Sequence, residues 1–94
     1  LTLSGLAWDS QRGRLYGVRD LGGSSGAEGL WEIDPATGVS TLVVEFEPTT
    51  TSNFFIGGVD YDAGTDRIYL ADDDDTGGRN LYFIDPTDFA AGLQ

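Results

Sequence analysis

The residues best suited to chemistry are the run Asp72-Asp73-Asp74-Asp75-Thr76-Gly77-Gly78. Asp72, Asp74, Thr76 and Gly77 occupy positions 1, 3, 5 and 6 of a calcium-loop spacing. In such a loop alternate oxygen ligands converge on the ion and the glycine permits the turn. The distal glutamate is missing, because the twelfth position is Phe83, and no helical pattern flanks the run. An EF-hand is therefore excluded. What remains is a Ca2+ site in a β-loop, with Asp72, Asp74 and Asp75 as ligands and Asp20 from a matching loop. The competing reading is a solvated acidic turn between two strands, charged to keep an edge from pairing.

Other chemistry is poorly provided for. The chain has no His and no Cys, which removes the commonest general base, the thiolate metal site and the Ser-His-Asp triad. Ser24-Ser25 and Thr49–Thr51 have no neighbouring base to activate them. No phosphate-binding glycine loop follows a strand. No catalytic or organic-cofactor residue is expected, and Ca2+ is the cofactor the spacing suggests.

Sixteen acidic residues face five basic ones, a net charge of −11, and all five are Arg (12, 14, 19, 67 and 79). Such a surface repels phosphate backbones and anionic lipid, so neither nucleic acid nor membrane is expected as a partner. The composition suits high salt, where screening removes self-repulsion, and equally an extracellular or periplasmic setting. No apolar run approaches the roughly 20 residues that cross a bilayer. There is no Met, so the chain reads as processed or as a piece of something longer.

These residues are positioned by a repeat. Gly5-Leu6-Ala7-Trp8-Asp9 and Arg14-Leu15-Tyr16 recur 53 positions on as Gly58-Val59-Asp60-Tyr61-Asp62 and Arg67-Ile68-Tyr69. Leu30-Trp31-Glu32-Ile33-Asp34-Pro35 recurs 51 positions on as Leu81-Tyr82-Phe83-Ile84-Asp85-Pro86. Strands are predicted over Leu1–Trp8, Arg14–Arg19, Leu30–Ile33 and Ser40–Phe46, then over Phe54–Tyr61, Arg67–Ala71 and Leu81–Ile84. Gly5 marks a bulge or a close backbone approach. In Ser40–Phe46, Leu42, Val44 and Phe46 alternate with Thr41, Val43 and Glu45, the pattern of an edge strand with one wet face. Asp9, Asp62, Asp34 and Asp85 read as turn caps, and Arg14 and Arg67 as partners for a turn Asp. Trp8, Tyr61, Tyr16, Tyr69, Trp31 and Tyr82 are expected to fill the space between blades, where large flat side chains are needed. Nothing after Asp85-Pro86 resembles Ser40–Phe46.

The fold class this predicts is all-β. Two tandem four-stranded antiparallel β-meanders form blades of a β-propeller, the second lacking its outer strand. Blade 1 covers 1–47, the connector 48–53 and blade 2 54–94. A β-solenoid is the structural alternative.

On these motifs (SGLAWD, then RLYGVRD, then LWEID, with the second unit matching) the chain resembles the phytase-like and SdiA-regulated β-propeller families. The resemblance implies rings of about six blades. Arg19 stands where those families commonly carry Ser. It also implies that loops 20–29, 47–53 and 72–80 share one rim, where aligned Asp20 and Asp73 would contribute to a crown of carboxylates. Two units cannot close a ring, so self-association through the blade faces is expected, with a trimer supplying six blades. The function expected is a propeller fragment or self-assembling module that binds or scaffolds without catalysis in isolation. The alternative is a Ca2+-dependent phosphoesterase or lactonase-type hydrolase, active only in a complete ring.

Overall fold

The computed structural model describes residues 3, 5–19, 29–46, 56–72 and 81–94. Across them the chain is all-β. Strands β1 (Gly5–Asp9), β2 (Arg14–Arg19), β3 (Gly29–Ile33) and β4 (Ser40–Glu45) form one antiparallel sheet in that order. Strands β5 (Ile56–Asp62), β6 (Arg67–Asp72) and β7 (Leu81–Ile84) form a second. The connector 48–53 lies outside the described residues.

The four turn aspartates cap their turns. Each side chain accepts from a backbone N–H two residues on: Gln11 for Asp9 (2.9 Å), Ala36 for Asp34 (2.9 Å), Gly64 for Asp62 (3.4 Å) and Thr87 for Asp85 (2.8 Å). This is the local bond that makes Asp a turn residue. Gly13 and Gly38 close their turns at φ 66° and 77°, where a side chain is strained.

Cross-strand register sorts the faces. In the first sheet Ala7 pairs with Tyr16, Val18 with Leu30, and Leu30 with Val44. All five are buried in one core with Tyr61, Ile68, Leu70 and Ile84 of the second sheet. The repeat shows what kind of stack this is. The counterparts of inward Tyr16, Val18 and Leu30 are Tyr69, Ala71 and Leu81, none of which is in that buried core. The counterparts of inward Tyr61, Ile68 and Ile84 are Trp8, Leu15 and Ile33, again on the far side. Equivalent residues thus lie on equivalent faces, and the sheets stack face to back. β1 lies against β5, close enough that a Cβ on Gly5 would sit 3.0 Å from Val59 Cγ1. The neighbour at Gly5 is thus the Val59 side chain, with the nearest backbone atom 4.0 Å away.

Of the six repeated aromatics, Tyr16, Tyr61 and Tyr82 lie in or against the core between the two sheets, whereas Trp31, Tyr69 and Trp8 do not; Trp8 is 53% exposed, because the strand period sends it opposite to Ala7 and Asp9. The alternation in β4 is broken by a bulge. Leu30 pairs with Val44 but Trp31 pairs with Leu42, so Val43 is the extra residue. Leu42 consequently joins Trp31 outside while Val44 stays inside. The arginines at the start of β2 and β6 take other partners, described below.

Among the described residues the second sheet has no fourth strand. Residues 85–93 instead make a turn and the 3-10 segment Phe89–Ala91, and Phe89 meets the Tyr16 ring edge to face at 6.0 Å. Phe83 and Gln94 then exchange two backbone hydrogen bonds of 2.8 Å. Gln94 so takes the position on β7 that Thr41 takes opposite Glu32 on β3.

Candidate functional site

The densest cluster of charged groups among the described residues joins the two sheets through Arg12. Arg12 lies in the turn after β1, where its backbone N–H and that of Gln11 both donate to Asp9 Oδ1. Its guanidinium then reaches in two directions. Nη1 donates to Asp9 Oδ2 at 2.8 Å, while Nη1 and Nη2 donate to the two carboxylate oxygens of Asp66 at 2.8 and 2.7 Å. The fork on Asp66 is the bidentate geometry that makes Arg–carboxylate pairs strong. The Tyr61 hydroxyl donates to Asp66 Oδ1 at 2.7 Å, and Gln11 Nε2 donates to the Ala63 carbonyl at 3.1 Å. Asp9 is fully buried, so its charge is tolerable only because the cation and two N–H groups surround it.

The backbone gives this cluster its reason. Asp66 occupies the position of Gly13 in the first turn and keeps the same left-handed conformation, φ 54°. A non-glycine residue is strained there. The second turn gives up its glycine to put a carboxylate within reach of Arg12. Sequence reasoning missed this, although the signal was present: at the repeat offset Gly13 becomes Asp66, and Arg12 becomes Thr65.

Ionisation follows the contacts. The Arg12 hydrogen bonds, and then the Tyr61 hydroxyl, hold the Asp66 carboxyl down at about 2. Burial, and then the hydrogen bond given to Asp66, pushes the Tyr61 phenol up to about 12. Arg12 is held charged by Asp66 and Asp9. A depressed carboxyl stabilises the fold above its unfolded value near 4, and that contribution disappears as pH falls through about 2. A raised phenol stabilises below its unfolded value near 10, and that contribution is lost as pH climbs through about 12. The melting-temperature gap between wild type and Asp66→Asn is therefore expected to be full at pH 5 and to close between about 4 and 2. The gap to Tyr61→Phe closes between about 10 and 12. Gaps that ignore pH would contradict this assignment of the cluster.

Asp72 is the last residue of β6; Asp20, Asp74 and Asp75 lie outside the described residues, as does Asp73. Among the described residues no three His, Cys, Asp or Glu side chains gather into a metal-holding group. Arg14 and Arg67 do not pair with turn aspartates: Arg12 already occupies Asp9, and Asp62 is engaged by the Thr65 backbone N–H and hydroxyl. Arg14 Nη1 lies 3.5 Å from Glu32 on the neighbouring strand. Arg67 sits 3.9 Å over the Phe83 ring, a cation–π contact worth about 0.5–1 kcal/mol on an open surface.

Among the described residues two buried polar atoms have no hydrogen-bond partner, the Tyr16 hydroxyl and Trp31 Nε1. Burial pushes the Tyr16 phenol up, and the Arg14 guanidinium offsets part of that without satisfying the hydroxyl. A lone buried hydroxyl costs its desolvation. Tyr16→Phe is accordingly expected to raise stability by about 1 kcal/mol in urea unfolding; a loss of that size would mean that the hydroxyl has a partner.

No protein-family model, no curated protein and no solved structure matches the chain.

Proposed function

We propose that this chain is a binding or scaffold module, a two-unit portion of a β-propeller-type stack that offers sheet faces to further units and performs no catalysis by itself. The observation that carries the reading is the face-to-back stacking. It leaves two dissimilar open faces, and the first carries Leu6 and Trp8 at 58% and 53% exposed. Contiguous apolar surface of this kind marks an interaction site. The dense charged cluster among the described residues is already consumed in holding the sheets together, so it is structural. The likeness of the SGLAWD and RLYGVRD motifs to phytase-like propeller blades supports the same architecture.

Two measurements test the reading. The native monomer is expected to bind the dye ANS, and Trp8→Asp to abolish most of that binding. Millimolar Ca2+ is expected to leave the melting temperature unchanged. A native-state ion at 100 times its dissociation constant would add about 2.7 kcal/mol. A shift of that order would contradict the module reading and favour a Ca2+-dependent hydrolase built on the acidic loops.

A further inference from the structure

The two open faces are not arbitrary surfaces. On the outward side of the first sheet, Trp8, Leu15 and Ile33 are the repeat counterparts of Tyr61, Ile68 and Ile84, which cover that sheet from the other side. On the outward side of the second sheet, Tyr69, Ala71 and Leu81 are counterparts of Tyr16, Val18 and Leu30, the residues that the second sheet itself packs on. Each free face is a partial copy of one half of an interface that already fits: Gly17 stands where the internal interface has Leu70, and the second sheet, three-stranded among the described residues, has no counterpart of Val44 and Phe46. We propose that the occupant of the Trp8 face is a second copy of this chain, docked head to tail through its Tyr69–Ala71–Leu81 face. The contact is heterologous: it uses a different face from each partner, so repeated docking gives a ring where the rotation closes and an open filament where it does not.

The copies differ from the originals in ways that set the strength of the contact. Arg12 is replaced by Thr65 and Asp66 by Gly13, so no guanidinium clamp spans the contact between chains. Inward Ala7 is replaced by Asp60, which is exposed and places a carboxylate where the template has a methyl group. Each copy also carries a net charge of −11. Association is therefore weaker than the internal stack and is promoted by salt, since the screening length falls from about 10 Å at 0.1 M to about 3 Å at 1 M.

The proposal rests on the module reading above, and the experiment separates the two. Light scattering is run across concentration at 0.05 and 1 M NaCl on wild type, Trp8→Asp, Leu81→Asp and an equimolar mixture of the variants. Both substituted residues are more than half exposed, and circular dichroism checks that each variant is folded. Wild type is expected to exceed 10.0 kDa, increasingly so at high salt. Each variant alone stays at 10.0 kDa, and the mixture forms a one-to-one complex of twice that mass, because each variant retains one good face. Asp60→Ala is expected to tighten association several-fold. If the variants alone still associate as wild type does, or the mixture does not, the head-to-tail contact is wrong. If wild type remains at 10.0 kDa in 1 M salt while still binding ANS, the open face stands and the second copy is not its occupant.

Discussion

Replacing Asp9 with alanine is expected to destabilise the chain by about 3 kcal/mol, lowering the melting temperature by roughly 15 °C. Three losses combine. The backbone N–H groups of Gln11 and Arg12 lose their acceptor, which at a capped turn costs about 1 kcal/mol. The ion pair from Arg12 Nη1 at 2.8 Å disappears. The guanidinium is left steered by Asp66 alone, so the first turn is no longer fixed against the second sheet. Asp9→Asn separates these effects, because the amide oxygen still accepts both N–H groups; its cost should be about half. A single melting transition that moves little in Asp9→Ala would mean that the buried carboxylate is not holding the turn.

Gly29→Ala is expected to be of similar size, about 3 kcal/mol, for a steric reason. Gly29 sits at the start of β3 beside the β4 bulge. A Cβ there would run into the Val44 carbonyl oxygen and lie 2.9 Å from Leu42 Cδ1 and 3.2 Å from Glu45 Cα. Two of those three obstacles are backbone, which yields only by opening the β3–β4 pairing. Gly38→Ala is the control. Its Cβ meets nothing within 4 Å, and only the left-handed φ of 77° opposes it, at about 1 kcal/mol. Denaturant midpoints for the two variants should differ accordingly, and equal midpoints would contradict the crowding at Gly29.

The strands and the repeat were legible because they rest on local, periodic information. Arg14–Arg19 and Leu81–Ile84 are strands with the bounds the pattern predicts, and the four aspartates cap their turns as their spacing suggests. Features that depend on three dimensions were not legible. Which face of a strand is covered depends on the neighbouring sheet, so Trp8 and Tyr61, equivalent in sequence, have opposite exposures. The bulge at Val43 shows no Gly or Pro, and it alone moves Leu42 across the sheet. The Arg12 clamp needed the two turns to be brought together, though the exchange of Gly13 for Asp66 was a visible departure from the repeat. The acidic candidates Asp20, Asp74 and Asp75 lie outside the described residues.

Face-to-back stacking of the two sheets is tested most directly by a proton NOE spectrum of the labelled monomer at low concentration. The Gly5 Hα protons should show cross-peaks to the Val59 methyl groups, and the Tyr16 ring to the Phe89 ring, while the Trp8 indole shows none to Ile68 or Leu70. Cross-peaks from the Trp8 indole to those two residues would place both copies of the same face inside, and the face-to-back stack would be wrong.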